Sequence, residues 1–119
     1  VFEFLLIFAG EDASKRVPFA TWRGTLGNVY SAPGQKANEF SKHHAATMPT
    51  HLVEWILGTL CDQAKTVVDP FAGTGTTAIV AEQMGRRSFG MEIDPAYCDI
   101  IVRRWENLTG EEATRCPDE

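Results

Sequence analysis

The sequence has few cysteines and no long apolar run, and each scarcity excludes a class of protein. Three cysteines occur in 119 residues, at Cys61, Cys98 and Cys116. This odd number at wide spacing gives no disulfide framework, so a reducing, cytoplasmic location is expected. No stretch approaches the roughly 20 apolar residues of a membrane span. The opening VFEFLLIF lacks a basic region before it, so we interpret it as a buried strand and not as a signal peptide.

Basic residues are also scarce. The chain has 11 Lys and Arg against 16 Asp and Glu, for a net charge of -5. This excess of acidic residues argues against a chain that binds a nucleic-acid backbone by itself. The acids are concentrated at the end, where residues 110–119 are predicted to form a solvated acidic tail. The 44% hydrophobic content is enough for a packed core.

The first part of the chain is irregular in pattern. A strand is predicted over residues 2–9, and an irregular connection over residues 10–40, with at most a short strand around Gly27–Tyr30. Pro49 is then expected at the first position of a helix, where its missing N–H costs nothing. Apolar residues recur on one helical stripe, and the helix should end near residues 61–62.

From residue 66 onward, strand and helix patterns alternate. The predicted elements are Thr66–Val68, Thr76–Met84, Ser88–Ile93 and Ala96–Leu108. Gly85 is the expected stop of the first of these helices, while Asp94 and Pro95 are the expected cap and first residue of the second. Strand, helix, strand and helix in this order predict an α/β fold with a parallel sheet.

A glycine pattern lies directly between the strand and the helix. In Gly73-x-Gly75-x-x-Ala78, Gly73 allows a tight turn, Gly75 allows close approach of a ligand, and Ala78 allows the helix to pack near the strand. Glu92 lies at the predicted end of the next strand, where a carboxylate can accept both hydroxyls of a ribose. The pattern predicts a nucleoside-containing cofactor. The alternative is a structural turn with Glu92 as a surface acid.

The residues before the glycines bear on which nucleoside is bound. The loop begins Asp69-Pro70-Phe71, with an acid at the end of the strand. A carboxylate there repels the pyrophosphate of a dinucleotide but suits a cationic amino group or a sulfonium. The sequence therefore favours S-adenosylmethionine over NAD.

Three segments resemble a known family. DPFAGTGTT and FGMEIDPAYC look like motifs I and II of the DNA amino-methyltransferases, which modify adenine N6 or cytosine N4. KHHAATMPTHLVEWIL is similar to their motif X, although Ala45 stands where a Pro usually follows the His at position 44. The resemblance implies a Rossmann-like fold, here incomplete, with a parallel sheet and flanking helices. It implies that residues 1–109 are the cofactor-binding, C-terminal part of a methyltransferase domain. It also implies S-adenosylmethionine as cofactor, double-stranded DNA as substrate, and a bacterial or phage-encoded restriction-modification setting.

The resemblance also implies roles for individual residues. Asp69 would meet the amino end of the cofactor's methionine, and Glu92 would hold its ribose. Thr76 and Thr77 would cap the helix and offer hydroxyls to the cofactor's carboxylate. The remaining matches are backbone contacts at Phe71, Ala72, Gly73 and Gly75, the adenine edge at Ile93 and Asp94, and the motif X residues Met48 and Pro49.

One departure from the family is large. Its catalytic motif is an Asp, Asn or Ser followed by Pro-Pro and an aromatic residue, and no Pro-Pro occurs in the chain. That motif binds the target amino group and stacks on the flipped base. We therefore assign no catalytic residue and expect the chain alone to be inactive, with the motif upstream or on a partner chain. The lack of an initiator Met suggests a start inside a longer protein. An NAD-type oxidoreductase fragment and a non-catalytic remnant of the fold remain alternatives.

Other conspicuous residues have ordinary interpretations. His43, His44, His51 and Cys61 match no standard zinc spacing, so no metal site is predicted. The Arg86-Arg87 pair is expected to form a solvated turn.

Overall fold

The computed structural model describes residues 30–32, 48–62 and 64–116. The chain divides into two units, Val1–Ala32 and Pro33–Glu119, and every helix and strand named below lies in the second unit. The strand predicted over residues 2–9 lies outside the described residues, as does most of the connection predicted over 10–40. At Tyr30, the described end of the short predicted strand, the backbone is irregular.

The described elements follow the predicted order. They are α1 (Thr50–Trp55), a π-helical segment (Ile56–Leu60), β1 (Thr66–Asp69), α2 (Thr76–Gln83), β2 (Arg87–Gly90) and α3 (Pro95–Thr109). Strand, helix, strand and helix from residue 66 onward are therefore confirmed. None of the helices in these described ranges is long and apolar enough to cross a membrane.

The first helix begins one residue later than predicted. Pro49 is the N-cap, not the first helical residue, because its ψ of 134° is extended while its φ of -65° is the usual proline value. Its carbonyl accepts from the N–H groups of Leu52 at 3.2 Å and Val53 at 3.4 Å, which starts the helix. The helical stretch ends with the π-helical segment at Leu60, close to the predicted end.

The two strands are parallel, as predicted, and pair from Thr66 opposite Arg87 to Asp69 opposite Gly90. The second strand is shorter than predicted, so Glu92 lies two residues beyond its end. The backbone leaves the strand at Met91, whose N–H still donates to the Asp69 carbonyl at 2.9 Å. The Met91 carbonyl instead accepts from Ala72 at 2.9 Å, which turns the chain toward the loop after β1.

The core lies where α1, the π-helical segment and α2 meet. Val53 and Leu57 pack against Val80, which is fully buried, and Cys61 and Val67 border the cluster. Burying each side chain of this size stabilises the fold by about 1.5–3 kcal/mol. Because α2 also contacts both strands, this core holds the sheet against the helices.

The third helix carries its predicted N-terminal signals. Asp94 Oδ1 accepts from the Ala96 N–H at 2.9 Å, and Pro95 occupies the first turn. Gly110 ends the helix in the left-handed conformation, with φ of 75°. The helix contacts α2, but none of its residues is fully buried. The amphipathic helix α3 therefore packs on the side of α2 at the surface of the fold.

Candidate cofactor site

Two loops meet at the carboxyl end of the sheet. The glycine loop (residues 70–75) follows β1, and the acidic turn (residues 91–94) follows β2. Because Asp69 pairs with Gly90 at the ends of neighbouring parallel strands, both loops start from the same edge. This edge is where ligands bind in open parallel sheets.

The carboxylate of Glu92 joins the two loops. Its Oε2 accepts from the Gly73 N–H at 2.7 Å, and its Oε1 accepts from the N–H groups of Ile93 and Asp94 at 2.9 Å each. Bonds from N–H groups to an ionised carboxylate are stronger than bonds between neutral groups. Half-buried Glu92 is therefore a bridge between the loops, not the isolated surface acid of the structural alternative.

The glycine loop uses much of its own backbone hydrogen-bonding capacity. Phe71 donates to Asp69 Oδ1 at 3.0 Å, and Ala72 donates to the carbonyl of Met91. Gly73 donates to Glu92, and Gly75 donates to the Ala72 carbonyl at 2.8 Å. A phosphate-binding loop needs such N–H groups for its anion. In this loop, these four are directed to acceptors within the protein.

The two motif glycines are required for different reasons. Gly73 has φ of 54°, and a Cβ built on it would meet nothing within 4 Å. Gly75 has φ of 78°, and its Cβ would lie 2.7 Å from Cγ1 of Ile101 on α3. Both positions strain any residue with a side chain. The space beside Gly75 thus belongs to α3 and not, as the sequence suggested, to a ligand, whereas the space beside Gly73 is open.

The prediction that Thr76 and Thr77 cap α2 is wrong. The N-cap is Gly75, in the left-handed conformation, and no side chain bonds to the helix start there. Thr76 is buried inside the first turn, with 4% of its surface exposed, while Thr77 is half-buried. Glycine takes the cap position because the chain must turn sharply between the loop and the helix. Contact of either hydroxyl with a ligand stays a prediction.

Sequence reasoning missed Arg104 as part of this region. Its Nη1 donates to the Thr74 carbonyl at 2.5 Å and lies 3.3 Å and 3.4 Å from the hydroxyl oxygens of Thr74 and Thr76. Burial lowers the pKa of Arg104, although a guanidinium stays charged at neutral pH. The available signal was a cation on the helical face that also carries Ile100, Ile101 and Trp105.

Large apolar side chains are exposed on both loops. Phe71 on the glycine loop is 88% exposed, and Ile93 on the acidic turn is 97% exposed. Met91, between them in the chain, is 65% exposed. Exposed apolar groups beside polar ones are typical of a binding surface.

The structure thus brings most of the predicted site residues to one edge. The members on or beside the two loops are Asp69, Phe71, Ala72, Gly73, Gly75, Glu92, Ile93 and Asp94. Met48 is half exposed and Pro49 is the N-cap of α1, and their part in a cofactor site stays a prediction. Among the described residues, no group of three or more His, Cys, Asp or Glu could hold a metal ion, and His43 and His44 lie outside them.

The expectation of a solvated turn at Arg86 is wrong. Its guanidinium is half-buried and donates to the carbonyls of Cys61 at 2.6 Å and Leu57 at 3.0 Å, with the Asp62 carbonyl at 3.5 Å. It therefore caps the end of the π-helical segment, where carbonyls lack partners within the helix. Arg87, by contrast, is exposed in β2.

Comparison with known proteins gives one family. The model of the N6/N4 DNA methylase family matches residues 9–103. The Type II methyltransferase M.Cfr9I of Citrobacter freundii is 37% identical over 90 residues, which are 76% of this chain and 27% of the relative. The orphan methyltransferase M.BamHII of Bacillus amyloliquefaciens is 34% identical over 91 residues, which are 76% of this chain and 33% of the relative.

A solved structure shares the fold. The crystal structure of the M1.HpyAVI–SAM complex aligns with a TM-score of 0.53 and 22% identity, over 65% of this chain and 43% of that one. The chain therefore resembles part of a longer α/β protein. It spans 27% to 33% of the two curated relatives.

Proposed function

The chain belongs to the N6/N4 DNA methylase family, and on this premise we propose that it forms the S-adenosylmethionine-binding part of a DNA methyltransferase. The target is the exocyclic amino group of adenine (N6) or cytosine (N4) in double-stranded DNA. A bacterial or phage-encoded enzyme in the cytoplasm, acting in restriction-modification, fits the Type II relatives. The observation that carries the proposal is the Glu92 bridge to Gly73 at the carboxyl edge of the parallel sheet.

The residues at this edge fit the chemistry of S-adenosylmethionine. A carboxylate at Asp69 suits the ammonium of the methionine part, and the carboxylate of Glu92 suits the ribose hydroxyls. Exposed Phe71 and Ile93 offer apolar surface to the adenine. The open space beside Gly73 lets a ligand approach the loop backbone. These are the roles that we propose for the predicted site residues.

The same edge is a poor match for NAD, the cofactor of the oxidoreductase alternative. Three carboxylates, from Asp69 at the end of β1 and from Glu92 and Asp94 on the acidic turn, repel a pyrophosphate. Loop N–H groups that would bind phosphate oxygens donate instead to Asp69 and Glu92. Family membership points the same way.

When bound, S-adenosylmethionine would supply a methyl group on a positively charged sulfur. The amino nitrogen of the target base would bond to the methyl carbon in line as the carbon–sulfur bond breaks, releasing S-adenosylhomocysteine and one proton of the amino group. The residues of this chain hold and orient the cofactor for that attack, and such orientation can lower a barrier by several kcal/mol. The chain has no Pro-Pro-aromatic motif to bind the flipped base. We therefore expect no methyl transfer to DNA by this chain alone.

Titration of the full chain with S-adenosylmethionine by calorimetry tests the proposal. The unaltered chain is expected to bind it and to gain thermal stability from it, but not from NAD. Glu92→Ala should weaken binding by at least about tenfold, because it removes the proposed charge-assisted bond to the ribose, worth about 1.5–3 kcal/mol, together with the bond that holds Gly73.

The matched control is Glu111→Ala, which removes the same charge from an exposed position in the tail and should leave binding unchanged. Stabilisation by NAD in place of S-adenosylmethionine would support the oxidoreductase alternative. Binding of neither compound, with no effect of Glu92→Ala, would support the non-catalytic remnant.

A further inference from the structure

We propose that Arg104 on α3 is the positioning residue that holds the glycine loop in its ligand-receiving conformation. The proposal rests on the proposed function, because it concerns the same cofactor site. Arg104 lies 30 residues from Thr74 in the chain, yet its guanidinium reaches the loop directly.

Arg104 holds one particular peptide of the glycine loop. The peptide that joins Thr74 to Gly75 is fixed at both ends: its carbonyl accepts from Arg104 Nη1, and its N–H donates to the Ala72 carbonyl at 2.8 Å. This peptide leads into Gly75, whose φ of 78° reverses the chain before α2. Its orientation therefore decides where the loop ends and the helix begins.

The threonines that Arg104 contacts are buried. Thr74 and Thr76 flank Gly75 and are 5% and 4% exposed, so their hydroxyls have little access to water. Arg104 Nη1 lies at 3.3 Å and 3.4 Å from those hydroxyl oxygens. A buried polar group that loses its partner is costly, which ties this conformation of the loop to the guanidinium.

The helix α3 contacts the loop at two points. Ile101, one helical turn before Arg104, occupies the space into which a Cβ at position 75 would project. The apolar contact excludes a side chain at Gly75, and the guanidinium orients the peptide just before it. Together they make α3 a support for the loop, while Glu92 holds the loop from the acidic turn at Gly73.

Two measurements on the full chain test this role. The first is hydrogen exchange of the Gly73 and Gly75 amides in the absence of ligand, and the second is the affinity for S-adenosylmethionine. Arg104→Met keeps much of the side-chain length but removes every donor. We expect both amides to exchange at least about tenfold faster, and S-adenosylmethionine to bind about 10- to 100-fold more weakly.

Three further variants separate positioning from stability. Arg103→Met makes the same change at the exposed neighbouring position and should leave both measurements unchanged. Arg104→Lys keeps a charge and three donors, so it should restore part of the affinity. Val80→Ala weakens the core and should lower the melting temperature. At a temperature where both Val80→Ala and Arg104→Met are folded, Val80→Ala should not lower the affinity for S-adenosylmethionine.

The outcomes are distinct. Arg104→Met with exchange and affinity equal to those of the unaltered chain would overturn the proposal, as would an affinity loss no larger than that of Val80→Ala. If the unaltered chain does not bind S-adenosylmethionine, the proposed function fails. The exchange of the Gly73 and Gly75 amides then still decides whether Arg104 positions the loop.

Discussion

Two regions of the molecule differ in how far their apolar side chains are exposed. Between α1, the π-helical segment and α2, the apolar residues are buried, with Val53 at 5% exposure and Val80 at 0%. At the carboxyl edge of the sheet, Phe71 and Ile93 are 88% and 97% exposed. Burial of the apolar side chains in the first region stabilises the fold, whereas the second region leaves apolar surface exposed.

The regions also differ in what fixes their backbone. Regular helical bonds and side-chain packing hold the core region. At the edge, carboxylates hold the backbone: Asp69 accepts from Phe71, and Glu92 accepts from Gly73, Ile93 and Asp94. The comparison teaches that a loop can be ordered by polar bonds without covering the surface that a ligand would use.

The largest expected effect comes from the core. Leu57→Ala should lower the free energy of unfolding by about 2–5 kcal/mol, because it opens a cavity beside Val80. Urea denaturation measures the loss. Leu108→Ala, at a residue 39% exposed on α3, is the control and should cost much less. Similar losses for the two variants would contradict the distinction between a packed core and a partly exposed α3.

The boundary between the regions gives the next effect. Gly75→Ala should cost about 2–4 kcal/mol, combining left-handed strain with overpacking against Ile101. Gly73→Ala should cost about 1 kcal/mol, because its Cβ meets open space.

The two alanine variants should also differ in ligand binding. For a given loss of stability, Gly73→Ala should weaken S-adenosylmethionine binding more than Gly75→Ala does. The methyl group at position 73 projects into the open space beside the loop. Thermal unfolding and calorimetry provide the two measurements. Equal stability losses would show that the space beside Gly75 is no tighter than that beside Gly73.

A smaller effect than those of Leu57→Ala and Gly75→Ala is expected from a polar contact of the core region. Arg86→Met should lower the free energy of unfolding by about 1–3 kcal/mol, because the carbonyls of Leu57 and Cys61 lose a charged donor. Arg87→Met removes the same charge from an exposed position and should change stability by about 0.5 kcal/mol or less. If denaturation midpoints of the two variants coincide, the capping role of Arg86 is wrong.

Much of the local structure could be predicted. The alternation of strand and helix after residue 66, the Asp94 cap and the position of the glycine loop all follow from signals within a few residues of each other. The boundaries moved by one to three residues, as at Pro49 and at the end of β2, because the terminal hydrogen bonds depend on neighbours that the local pattern does not specify.

The residues that join distant parts of the chain could not be predicted in this way. Arg86 looked like part of a solvated turn, but its partner Cys61 lies 25 residues away. Arg104 looked like one more residue on a helix face, but its partner Thr74 lies 30 residues away. Thr76 looked like a cap, but the left-handed turn places Gly75 at the N-cap, and Thr76 is buried in the first turn of α2.

The sequence by itself determined the order of the elements from residue 66 onward, because turn chemistry and helical period are local properties. Its motifs also carried the family resemblance, from which the candidate cofactor residues are predicted. Only the tertiary structure decided which groups hold the glycine loop. A carboxylate or a guanidinium bonds to whichever backbone groups the fold leaves without partners nearby. Those groups at Gly73 and Thr74 become apparent only when β1, β2 and α3 are brought together.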